Sequence, residues 1–210
     1  MKNWLFILVA CTQVSAGIVE FKGTPKTITA SGTTVKVLPE AIIKDGADFN
    51  TKLSGFGIRK KTVFFVNVNV YVAASYMDDL SNVQKESPLE SIKNTKARVM
   101  QLTFLRSLSG AELSAAMQES LTIKGNDVDI TSAAFQNLFN EFNFDLNAGD
   151  SITLAMYNKG GNLEKVLIEV PEKKFSQEAN FFGLDLWKGW FGVPVDSGMK
   201  ELQPQLLSNK

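Results

Sequence analysis

The chain contains no histidine and a single cysteine, Cys11, among its 210 residues. Without histidine there is no imidazole to act as a base near neutral pH, to complete a hydrolytic triad or to bind a metal. Cys11 lies in an N-terminal leader, so the body of the chain can form neither a disulfide nor a thiolate metal site. Charge of neither sign is in excess: 22 Lys and Arg balance 22 Asp and Glu. A balanced chain offers no broad basic surface, which argues against nucleic acid as a partner. No apolar run reaches the roughly 20 residues that span a bilayer, so no transmembrane span is expected. The carboxylate pairs Asp127/Asp129 and Asp145/Asp150 lack the spacing of a calcium loop and read as caps and turns. Neither a metal site nor a cofactor is expected. Chemistry is left to Arg, Lys, Tyr, Ser, Thr, Asn and carboxylates.

What remains is ordinary globular material, 44% hydrophobic and 21% charged, of a length for one domain plus a processed segment. The first residues read as a signal peptide: Lys2, an apolar stretch over 4–10, then Val14-Ser15-Ala16 as the cleavage site. This divides the chain into a leader, residues 1–16, and a mature domain, residues 17–210, that is periplasmic or secreted. Leu8-Val9-Ala10-Cys11 also resembles a lipobox, which would lipidate Cys11. The apolar stretch is unusually short for that alternative.

Residues 62–76 give the clearest strand pattern. Val66, Val68, Val70 and Val72 alternate with Asn67, Asn69 and Tyr71, the period of a half-buried strand. Met100, Leu102 and Phe104 alternate in a second strand. Gly55 and Gly57 within a β-like segment predict a bulge or a close backbone approach. Ser109 and Glu112 fit a capping box, followed by Leu113, Ala116, Met117 and Leu121 at helical spacing. A second helix is expected over 132–142. Lys159-Gly160-Gly161-Asn162 predicts a hairpin, and two C-terminal helices are expected over 176–187 and 197–207, with Pro204 kinking or ending the latter. Strands, helices, a hairpin and helices in that order predict an α+β fold with helices covering one face of a mainly antiparallel sheet.

Three stretches in order carry a resemblance: Leu53-Ser54-Gly55-Phe56-Gly57-Ile58-Arg59; Asn69-Val70-Tyr71-Val72-Ala73-Ala74-Ser75-Tyr76; and Trp190-Phe191-Gly192-Val193-Pro194-Val195-Asp196, followed by Met199-Lys200 and Leu206-Leu207. Together they resemble the chalcone isomerase-like family, over residues 17–207, in a bacterial exported form. The resemblance implies an open-faced β-sandwich, a large antiparallel sheet with helices on one side. The family divides into true isomerases and non-catalytic members that include fatty-acid-binding proteins. Arg59 matches an arginine of both branches. Tyr71 falls where the isomerases have a threonine and resembles the fatty-acid-binding branch, in which Arg and Tyr hold a carboxylate. Other isomerase positions are changed as well: the helix tyrosine aligns with Leu113, an asparagine with Ser120, and a serine or threonine with Gly189.

The resemblance therefore implies no catalytic residues, and ligand-binding by Arg59 and Tyr71. The expected function is non-catalytic binding of a fatty acid or similar small apolar carboxylate in a cavity between sheet and helices. The alternative is an intramolecular lyase, an isomerase with an unfamiliar substrate, for which Tyr71 would supply the proton chemistry. Chemically the pair is apt: a carboxylate leaving water must regain its hydrogen bonds, and Arg offers a charged fork while Tyr offers one directed donor. Phe104, Leu113, Met117, Phe135 and Phe139 are candidates to line the cavity or simply to fill the core. Without the resemblance, Arg59 would read as a strand-end arginine paired with a surface carboxylate, and Tyr71 as a half-buried strand residue. Arg59 and Tyr71 are twelve positions apart, which would separate them by about 40 Å in one strand. They can meet only if the chain reverses, yet 62–66 holds no Gly or Pro. The aromatic group Phe181, Phe182, Trp187, Trp190 and Phe191 reads as helix packing, or as a docking patch if exposed. The pattern specifies neither oligomeric state nor ligand length.

Overall fold

Reversal does occur between Arg59 and Tyr71. The computed structural model describes residues 17–81 and 83–209, and the predicted leader lies outside them. In it, β5 (Asp48–Val63) and β6 (Val66–Met77) form one long antiparallel hairpin closed by Phe64 and Phe65. Both turn residues have positive φ, 47° and 69°, the backbone that a two-residue type I′ hairpin needs and that Gly and Asn adopt most easily. Strand pairing imposes the turn on residues with no preference for it.

That hairpin sits inside an eight-stranded sheet. The other members are β1 (Val19–Lys22), β4 (Glu40–Lys44), β7 (Ala97–Phe104), β10 (Ser151–Gly160), β11 (Leu163–Val170) and β12 (Lys173–Asn180). Their order is β1-β4-β5-β6-β7-β10-β11-β12, and every neighbouring pair is antiparallel. Two small ladders complete the strands: β2 (Lys26–Ala30) with β3 (Thr33–Val37), and β8 (Leu108–Ser109) with β9 (Asp145–Leu146).

The described residues form five helices: α1 (Pro88–Lys93), α2 (Gly110–Thr122), α3 (Ala133–Asn140), α4 (Phe182–Phe191) and α5 (Ser197–Gln205). Alternation along β6 and β7 sends Ala73, Met77, Met100 and Leu102 into the core shared with Leu113, Leu121, Trp187 and Leu202 of the helices. The intervening Val72, Ala74, Tyr76 and Val99 face the opposite side, where Val35 and Val37 of β3 and Ala41 and Ile43 of β4 pack on them. The architecture is the expected α+β open-faced sandwich, with a second, smaller core under the β2–β3 hairpin. Among the described residues no helix is long and apolar enough to cross a membrane.

Local chemistry explains several elements. Ser109 Oγ accepts from the Glu112 amide and Glu112 Oε2 accepts from the Ser109 amide, so α2 begins on the predicted capping box. Gly55 and Gly57 allow α5 to lie directly on β5. A Cβ on Gly55 would collide with the backbone of Gln205, Leu206 and Ser208, and one on Gly57 with the Gln205 side chain. A bulge also falls between Leu53 and Gly55, so both predicted consequences of these glycines are present. Ser54 Oγ bonds the Ser75 and Leu206 carbonyls at 3.0 and 2.9 Å, pinning the end of α5 to the sheet.

The helix expected over 176–187 is a strand in its first part. Residues 173–180 pair along their whole length with β11, and α4 starts only at Phe182. Ser176-Gln177-Glu178-Ala179 favours helix locally, but partial burial alternates strictly along β12, and the offered edge of β11 decides the outcome. The aromatic group is packing: Phe182, Trp187, Trp190 and Phe191 are buried, and only Phe181 is exposed.

Candidate functional site

Arg59 and Tyr71 are direct cross-strand partners in the β5–β6 ladder. Residues opposite one another in an antiparallel pair project from the same face with Cβ atoms about 5 Å apart. Here that face looks toward the helices. A bulge between Arg59 and Lys60 turns the strand where the arginine leaves it.

The two side chains lie in the wall of a cavity of about 720 Å³ between β5–β7, α2, the end of α4 and the start of α5. This volume is typical of sites that enclose small molecules. Leu102, Phe104, Leu113 and Met117 supply apolar lining, so three of the five apolar candidates face the cavity. Phe135 is instead core, packed edge-on against Phe182 at 5.0 Å, and Phe139 packs beside it at 5.9 Å.

Tyr71 is held on two sides. Its ring meets Phe104 edge-on at 5.7 Å, and its hydroxyl oxygen accepts from Trp190 Nε1 at 3.2 Å. That bond uses an oxygen lone pair and leaves the O–H proton free to be donated. Burial pushes the Tyr71 pKa up, against the opposing pull of the Arg59 charge and the Trp190 bond, and the net direction is upward. Tyr71 is therefore a neutral donor at physiological pH.

Arg59 is buried, and its charge is already engaged. Nη2 donates to Asp196 Oδ2 at 2.6 Å, and Nη1 donates to the Lys60 carbonyl. Asp196 is also the N-cap of α5, with Oδ1 accepting from the Met199 amide at 2.9 Å. Burial works to raise the Asp196 pKa, but the bonds from Arg59 and the Met199 amide and the charges of Arg59 and Lys61 outweigh it, holding the carboxyl below its usual value. The reading of Arg59 as an arginine paired with a carboxylate is thus partly right. The pair, however, forms the cavity wall and not an outer surface.

Leu113, Ser120 and Gly189 line the same cavity. Ser120 Oγ donates to the Met117 carbonyl of its own helix at 2.8 Å, so its proton is not offered to the cavity. Glu112, also in the lining, is drawn into the α2 cap. Sequence reasoning missed Trp190 and Asp196 as members of the site. Both lie in the late stretch 190–196, whose pattern was visible but whose contact with β5 and β6 is purely tertiary.

A family model described as chalcone isomerase-like matches residues 34–206. The chain belongs to the chalcone isomerase-like family. Within that family's fold, it superposes on the crystal structure of a fatty-acid binding protein from Arabidopsis thaliana with a TM-score of 0.58 and 19% identity, covering 88% of this chain and 97% of that one. At that identity the likeness is one of fold. No curated protein matches the chain in sequence. The matched residues 34–206 include Arg59, Tyr71 and Asp196.

Proposed function

We propose that this chalcone isomerase-like protein binds a fatty acid or similar small apolar carboxylate without transforming it, Arg59 and Tyr71 holding the head group. The observation that carries the reading is the cross-strand pairing of Arg59 with Tyr71 in the wall of a largely apolar cavity. A guanidinium and a neutral phenol replace the hydrogen bonds that a carboxylate gives up with water, and Leu102, Phe104, Leu113 and Met117 cover its chain. The fold likeness to a protein named for fatty-acid binding points the same way. Asp196 shares the Arg59 guanidinium, so a bound carboxylate either takes the donors Asp196 leaves or takes its place. Lys61 and Arg106 in the lining offset the added negative charge. The predicted leader, residues 1–16, adds export to this reading, with the mature domain starting at Gly17 in the periplasm or outside a bacterial cell.

Native mass spectrometry of the mature protein, followed by extraction of any bound molecule, tests the reading. A co-purifying fatty acid that is lost in Arg59→Ala is the expected result. A protein that arrives empty and takes up no added fatty acid would overturn it.

A further inference from the structure

Beyond Arg59 and Tyr71 the β5–β6 hairpin becomes a two-stranded ribbon. Pairing of β4 with β5 stops at Lys52, and pairing of β7 with β6 stops at Tyr71. The ribbon ends in four consecutive apolar residues, Val63, Phe64, Phe65 and Val66, exposed by 37, 92, 102 and 62%. Folding gains next to nothing from the Phe64 and Phe65 side chains, which bury almost no surface. The turn even works against them, since its two positive φ values suit Asn-Gly better than Phe-Phe. Their presence calls for something outside the protein to cover them.

Charge indicates what that is. Residues 60–69 include Lys60 and Lys61 and no acidic residue, and both lysines are exposed. An apolar tip with basic shoulders matches an anionic lipid surface, where aromatic rings enter the headgroup boundary and lysines stay at the phosphates. A second copy of the tip would instead bring the lysines of two ribbons together. Lys61, Thr62 and Val63 also line the cavity and are exposed, so the cavity has an opening at the base of the tip.

We propose that the 63–66 tip inserts into the headgroup region of an anionic bilayer and sets the cavity entrance against the membrane. Docking requires no ligand. Only its use, loading or unloading an apolar carboxylate at the membrane, rests on the proposed function.

The test is sedimentation of the mature protein with phosphatidylcholine vesicles, with and without phosphatidylglycerol. Wild type should bind the anionic vesicles. Phe64→Asn with Phe65→Gly removes the aromatic surface while giving the turn residues that fit its backbone. That variant should keep or raise the unfolding midpoint and lose about tenfold or more in partitioning. Lys60→Gln with Lys61→Gln should lower the anionic preference by about fivefold per lysine at low salt. Arg59→Ala should bind vesicles as wild type does, which separates docking from ligand capture. Wild type remaining in the supernatant, or equal binding by the Asn-Gly variant, would overturn the proposal. So would a dimer that the Asn-Gly variant dissolves in a protein that ignores vesicles, which would make the tip a self-association element.

Discussion

Replacing Asp196 by Asn gives the sharpest test of how the site handles charge. Asparagine remains a good N-cap, so the start of α5 is kept. What disappears is the negative charge 2.6 Å from Arg59 Nη2. A ligand carboxylate on the same guanidinium would lie about 4–5 Å from Asp196, a like-charge cost of about 1 kcal/mol in water and about 4 near a protein surface. The Asp196 side chain is 33% exposed, which moves the figure toward the watery limit, to about 1–2 kcal/mol. Dodecanoate should therefore bind Asp196→Asn about five- to thirtyfold more tightly than wild type, while dodecanol should bind both alike. Isothermal titration with the two ligands reads this directly. The unliganded variant should also be less stable than wild type, because Arg59 is buried and loses its partner, and dodecanoate should restore more stability to it. Dodecanoate affinity that falls, as in Arg59→Ala, would refute the reasoning and make Asp196 a positioning partner that Arg59 needs.

Three other outcomes are expected. Gly55→Ala should cost about 2–3 kcal/mol in urea unfolding, because its Cβ would strike the backbone of 205–208 and not a movable side chain. Arg98→Met should cost about 3–5 kcal/mol by leaving Glu164 buried without its 3.1 Å partner; adding Glu164→Leu should recover part of the loss in a double-mutant cycle, though not the Glu164 bond to the Leu184 amide. Since the Asp196 pKa is lowered on folding, its contribution is complete above the ordinary carboxylate value of 3.8 and fades as pH falls through the folded value; the stability gap between wild type and Asp196→Asn should narrow across that range in acid.

Local chemistry was legible from sequence wherever it stayed local. The Ser109–Glu112 box, the Gly160-Gly161 hairpin and the two glycines of β5 each state a backbone requirement within a few residues, and each is met. β12 was misread because its helix-favouring residues were weighed without the strand they would pair with. The Phe64-Phe65 turn was obscure for a related reason: the ladder on either side forces a backbone that neither residue prefers. At the site, the resemblance indicated Arg59 and Tyr71, but their juxtaposition depended on that turn. Asp196 and Trp190 reach them from 137 and 119 residues away, a separation at which no pattern of spacing speaks. Arg98 stands on β7. It is buried beneath Trp187, its guanidinium carbon 5.6 Å from the ring, with burial lowering its pKa to about 10.

The seating of α5 on Gly55 and Gly57 also sets a clock. At about 5–20 residues per second, a ribosome needs about 7–27 seconds to travel the 137 residues from Arg59 to Asp196. During that interval β5 has no helix on its glycine face, Arg59 has no counter-ion and the cavity has no floor. The binding site is therefore one of the last features the chain can complete, and no nascent fragment ending before residue 196 can hold a ligand in it. Under the proposed export such lateness is useful, because a chain that cannot yet close around a ligand is also a chain still loose enough to be threaded through a membrane.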